Sequence, residues 1–184
     1  MLLKHLISAA WLTTVLLSGC SSKENVAEAV PRVTNDFENL DGWLADSPAL
    51  ATLNSEKAHS GKYSTKVSAG HDYGLGYSNE LSRFSPNWPA KIKIGAWVFV
   101  PDEQAVGKLV VEVKAAGSTD ASLLWEGVEL TKAVKVYNKW QYVEHVITTP
   151  VAAKPNSRLL VYLWRAGSNQ PLYLDDLVIT PISN

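Results

Sequence analysis

The segment "PLYLDDLVIT", Pro171 to Thr180, sets Asp175 and Asp176 side by side in an otherwise apolar run near the C-terminus. Read as a β-strand, its successive side chains face opposite sides of a sheet. Alternation then puts Asp175 with Leu177 and Ile179, and Asp176 with Leu174 and Val178. One carboxylate must share the face that packs, and a bare buried charge is costly, so it needs a partner. The partner can be a set of loop amides or a lysine. A second group of residues has the chemistry of sugar recognition, in which aromatic faces stack on C–H surfaces while carboxylates and amides read hydroxyls. In "RLLVYLWRAG", Tyr162 and Trp164 share one side of a strand whose other side is the aliphatic row Leu159, Val161 and Leu163. Glu112 in "KLVVEVKA" stands beside them if the two strands neighbour, and Trp125 in "LLWEG" is a third ring with Glu126 next to it. Trp88 in "SPNWPA" and the pair Tyr73 and Tyr77 in the glycine-rich "HDYGLGYS" are candidates from loops. For each ring the competing fate is ordinary packing, and for Arg165 a surface ion pair.

Catalytic signatures are missing. His59, His71 and His145 show no H-E-x-x-H spacing, no G-x-S-x-G elbow occurs, and the single cysteine, Cys20, is not available as a nucleophile. Glycoside hydrolysis needs two carboxylates across a cleft, and nothing singles out such a pair. The expectation is a protein that binds without catalysing.

Seven alternating or apolar segments would position these side chains: Tyr63 to Val67, Ile92 to Val100, Leu109 to Ala115, Leu123 to Leu130, Trp140 to Thr148, Leu159 to Trp164 and Leu172 to Thr180. Short strands punctuated by Gly, Pro, Asn, Ser and Asp predict an all-β sandwich. Ala45 to Lys57 carries at most a turn of helix. Rows Leu109, Val111, Val113 and Leu159, Val161, Leu163 are predicted to be core; Ile92, Ile94, Ala96 and Val98 face inward, with Trp97 and Phe99 outward, although Gly95 and Phe99 suggest cover on both sides.

The N-terminus, "MLLKHLISAAWLTTVLLSGC", has one basic residue, an uncharged run from Leu6 to Leu17 and then small residues, the pattern of an export signal. Its Leu17-Ser18-Gly19-Cys20 end resembles a bacterial lipobox, which implies cleavage before Cys20 and a diacylglyceryl group on that thiol. The resulting organisation is a signal over residues 1–19, a polar tether over 20–34 containing Pro31, and one β-sandwich domain over 35–184. Formal charge is −1 and the 17 Lys and Arg residues are scattered, which argues against a nucleic-acid partner.

Taken in order, "NDFENLDGW", "AHSGKYSTKV", "IKIGAWVFV", "NKWQYVEHVI" and "LYLDDLVI" resemble the CenC-type carbohydrate-binding modules. The resemblance implies a jelly-roll sandwich with the galactose-binding-like fold and non-catalytic binding of a polysaccharide. It also implies a structural calcium held by Glu38, Asp36 and carbonyls near it, carbonyls of His59 to Lys62, and Asp175 or Asp176. With the lipobox, it predicts a lipid-anchored protein of the cell membrane or outer membrane. The alternative is a structural or protein-interaction subunit of an envelope complex that keeps the sandwich without binding sugar.

Overall fold

The computed structural model describes residues 32–40, 48–85, 89–117 and 121–182. The strands are β1 Val33–Asn35, β2 Leu53–Asn54, β3 Ser64–Val67, β4 Tyr77–Glu80, β5 Lys91–Phe99, β6 Lys108–Lys114, β7 Ser122–Glu129, β8 Trp140–Thr148, β9 Arg158–Trp164 and β10 Leu172–Ile182. They form two antiparallel sheets. One runs β2-β3-β10-β5-β8 with β1 also paired to β10; the other runs β4-β9-β6-β7.

The core lies between them. Leu109, Val111 and Val113 of β6 and Leu159, Val161 and Leu163 of β9 face Ile92, Ile94, Ala96 and Val98 of β5, all buried. Period-two alternation in these strands is therefore a true record of the pleat, each aliphatic row closing one side of the sandwich. The seven expected strands are present to within two residues at either end. β1, β2 and β4 were not legible, since pieces of 3, 2 and 4 residues are too short to show an alternation. Where at most a turn of helix was expected, a 3-10 helix spans Pro48–Thr52, with the Thr52 hydroxyl bonded to the Ala49 carbonyl at 2.6 Å.

β10 departs from simple alternation. Asp175 lies opposite Trp97 and Val178 opposite Gly95, so Asp176 and Leu177 together oppose Ala96. This is a β-bulge, and Asp176 takes the left-handed conformation at φ 47° that lets the extra residue fit. Parity changes at that point. Leu177 and Ile179 join Leu174 in the core, whereas Asp175 falls on the outer face of the six-stranded sheet beside Tyr173 and Trp97, contrary to the face shared with Leu177 and Ile179 that alternation predicts. Asp175 is nonetheless fully buried, because the chain around His59 folds down over it. The same segment accounts for cover on both sides of β5: Lys57 lies 4.6 Å from the Phe99 ring centre, and Tyr173 and Trp140 close around that ring edge-on.

Candidate functional site

The outer face of the four-stranded sheet gathers most of the sequence-predicted rings. The strand register sets Glu112 of β6 opposite Leu160 of β9 and Trp125 of β7, with Tyr162 one step along and Trp164 opposite Lys108. Tyr73 is delivered from outside the strands. The segment that carries it runs along β9, pairing with Trp164 by a β-bridge and donating Gly74 N–H to the Leu163 carbonyl at 2.9 Å. A methyl group added at Gly76 would overlap the Val161 carbonyl oxygen, so the approach requires glycine there. Arg165 fastens the segment's other end, Nε to Asp72 at 2.6 Å, and so acts as the surface pair rather than as a free donor.

The result is an ordered aromatic cluster. Tyr73 and Trp164 are within 10° of parallel with centroids 6.4 Å apart, Tyr162 meets Tyr73 edge-on at 5.8 Å, and Trp125 meets Trp164 edge-on at 6.1 Å. Tyr73 is 57% exposed and Trp125 45%, while Tyr162 and Trp164 are half-buried, so the row is open at these two exposed rings. Beside it a cleft of ≈ 290 Å³ is lined by Tyr73, Tyr162, Glu112, Lys114 and Leu160. A second, of ≈ 310 Å³, shares Lys114 and Leu160 and runs on past Glu80 and Arg158. Burial pushes the Tyr162 hydroxyl above its ordinary pKa, offset in part by the hydrogen bond Trp125 donates to it and reinforced by Glu112. Glu112 is thus held next to a neutral phenol, its side chain 12% exposed, with Lys114 4.0 Å away. Rings to stack on, a fixed carboxylate and a hydroxyl whose neighbours orient it are the chemistry of saccharide binding.

Two predicted rings stand differently from expectation. Tyr77 lines the same cleft, but not from a loop: it opens β4 opposite Val161, is 8% exposed, and burial raises its hydroxyl to about 12. Trp88 lies outside the described residues, as does Cys20. Lys108 was missed, although it sits on the same side of β6 as Glu112, and its ammonium lies 5.5 and 5.7 Å from the Trp125 and Trp164 ring centres.

The acidic residues make a separate structure on the opposite sheet. Asp175 accepts the backbone N–H of His59 at 2.7 Å, of Ser60 at 3.2 Å and of Asp176 at 2.7 Å. Asp176 contacts the His59 ring at Nδ1 at 2.5 Å and accepts the Ser60 hydroxyl at 2.6 Å. Glu38 takes the other end of the segment, accepting Lys62 and Tyr63 N–H at 2.6 Å each. The His59 ring in turn stacks on Trp97 at 3.8 Å. Loop amides therefore partner the carboxylates, and burial still raises Asp175 to about 6 against their downward pull. For calcium, Glu38 and Asp175 are oxygen donors of the right kind flanking one loop. Asp36 is drawn into its own turn by Glu38 N–H at 3.1 Å, and among the described residues no three His, Cys, Asp or Glu groups converge on a metal position.

A two-sheet β-sandwich with an open aromatic and carboxylate face is the architecture of a carbohydrate-binding module. Residues 33–170 match the carbohydrate binding domain family CBM 4/9, and the chain belongs to that family. It is a non-catalytic carbohydrate-binding domain. No curated protein matches the chain significantly. Among solved structures it is similar to the CBM22-1 xylan-binding domain of Paenibacillus barcinonensis Xyn10C, with 18% identity and a TM-score of 0.54 over 83% of this chain and 94% of that one. It is also similar to the C-terminal family 22 module of Clostridium thermocellum Xyn10B, with 16% identity and a TM-score of 0.51 over 81% and 91% of the two chains. A family 16 carbohydrate binding module has 18% identity and a TM-score of 0.52 over 79% and 95%. At these identities the likeness establishes the jelly-roll fold and nothing finer.

Proposed function

We propose that the Tyr73, Trp164, Trp125 and Glu112 face binds a polysaccharide chain, and that a lipid anchor at Cys20 holds the domain, with its glycan, at the cell membrane or outer membrane. The observation that carries the site is the near-parallel pair Tyr73 and Trp164 beside the Glu112 carboxylate, with Tyr73 exposed and Trp164 half-buried. The xylan-binding names of the structural neighbours make xylan the first polymer to try. Calcium belongs to this proposal as a structural ion at Glu38 and Asp175, where it would supply positive charge between two carboxylates that already grip one loop. Affinity electrophoresis of the domain in gels containing xylan or other soluble glycans tests the reading. Retardation that disappears in Trp164→Ala supports it. Unretarded wild-type protein across a broad glycan panel would instead favour the protein-interaction role in the envelope.

A further inference from the structure

We infer that Lys108 gives the aromatic face a subsite for an anionic substituent, so that the preferred ligand is a neutral polysaccharide bearing carboxylate decorations of the uronic acid type. This rests on the polysaccharide reading of the same face. Lys108 begins β6 and points outward in the row that contains Glu112. Its stem crosses Gly127 of β7: a methyl group there would lie 2.9 Å from Lys108 Cδ and 2.9 Å from the Trp125 ring, so the glycine opens the place that both side chains share. The ammonium is thereby held between two indoles, 5.5 Å from Trp125 and 5.7 Å from Trp164.

No carboxylate compensates it by contact. Glu129 is its partner in strand register, yet that carboxylate turns to Lys132 at 2.6 Å and leaves Lys108 without an ion pair among the described residues. Glu129 still feels the charge of Lys108 at longer range, but a cation fixed at the end of a sugar-stacking platform with no carboxylate in direct contact is complementary to a ligand carboxylate arriving there. Glu112 limits where such a group can sit. It stands within the cleft with little exposure, 4.0 Å from Lys114, so the cation at that end already faces a carboxylate and Lys108 is left as the place for an added acid. The centre of the face thus suits hydroxyls and the Lys108 end suits an acid.

The test uses one polymer in two states, a glucuronate-bearing xylan and the same xylan after chemical reduction of its carboxyl groups, titrated against the wild-type domain, Lys108→Gln, Lys108→Arg and Trp164→Ala. Wild type is expected to bind the native polymer about two- to fivefold more tightly than the reduced one, with the difference shrinking as salt is raised. Lys108→Gln should bind both polymers as wild type binds the reduced one, and Lys108→Arg should restore the preference. Equal wild-type affinity for the two polymers, or a preference that survives in Lys108→Gln, overturns the inference while leaving the polysaccharide site intact. Absence of binding to either polymer, with Trp164→Ala indistinguishable from wild type, overturns the site itself and this inference with it.

Discussion

The rings of Tyr73 and Trp164 are nearly parallel because their backbones are hydrogen-bonded neighbours, joined by a β-bridge between a glycine-rich segment and the end of β9. The platform is therefore a product of main-chain pairing, which two glycines permit. Gly76→Ala should be the sensitive change, since its added methyl meets the Val161 carbonyl, a backbone atom with no rotamer to yield. The expected cost is about 1–3 kcal/mol of stability with weakened glycan binding, because the segment must lift and carry Tyr73 away. Thermal melts and affinity electrophoresis on the same variant measure both. A variant that melts and binds as wild type would show that the segment is not held as described.

Trp164→Ala and Leu163→Ala should have separate phenotypes, although they are adjacent. Leu163 is fully buried between the sheets, and its truncation should cost about 2–5 kcal/mol through lost contact and a residual cavity. Trp164 lies on the outer face among Tyr73, Trp125 and Lys108, so its loss should weaken glycan binding more than tenfold at smaller cost in stability. Equal destabilisation by the two changes would assign the indole to packing instead.

Such contrasts were readable in the sequence where a strand is regular. Rows Leu159, Val161, Leu163 and Leu109, Val111, Val113 are core because nothing interrupts their pleat. β10 misled because one residue in the left-handed conformation, Asp176, shifts the pleat by a step, and a bulge leaves little trace in an apolar run beyond two residues poorly suited to strands. Tyr77 misled for another reason. Its glycine-rich surroundings look like a loop, and only pairing with β9, far along the chain, makes it core. Lys108 could have been found by extending the Glu112 row two steps to the start of the strand; what could not be read was the turn of Glu129 toward Lys132.

Glu38 has a role that does not depend on any ion, as acceptor for the Lys62 and Tyr63 amides. Glu38→Ala should cost about 1–3 kcal/mol by leaving those donors without their carboxylate. If calcium also binds there, EDTA should lower the melting temperature of the wild type by several degrees and leave Glu38→Ala nearly unchanged, since a metal that binds only the native state adds RT ln(1 + [L]/Kd), about 2.7 kcal/mol at a hundredfold excess. Elemental analysis of protein purified without chelator should then return calcium. A wild-type melt indifferent to EDTA would leave the amide contacts as the sole function of the carboxylate.

Cys20→Ala should abolish lipid attachment, because the thiol is the atom acylated in lipobox processing and Cys20 is the only cysteine. Metabolic labelling with a fatty-acid probe distinguishes the outcomes. Equal label in mutant and wild type would remove the anchor from the functional reading, and the membrane location with it.

Asp175 should make stability depend on pH in a direction opposite to that of most carboxylates. Its folded-state pKa is raised to about 6 from 3.8, burial outweighing the amides of His59, Ser60 and Asp176. Between those values the folded protein keeps a proton that the unfolded chain has released, so this group's contribution to stability falls as pH rises from about 4 to 6 and is level above. Other groups also titrate in that range, and Asp175→Asn isolates the effect. In EDTA, the stability of wild type relative to Asp175→Asn should decline by on the order of 2–3 kcal/mol from pH 4 to pH 7, measured by denaturant melts at each pH. With calcium bound at Glu38 and Asp175 the decline should vanish, because the ion stabilises the charged carboxylate that burial opposes. A flat difference in EDTA would mean that the amide contacts fully offset desolvation, and that Asp175 is ionised throughout this range.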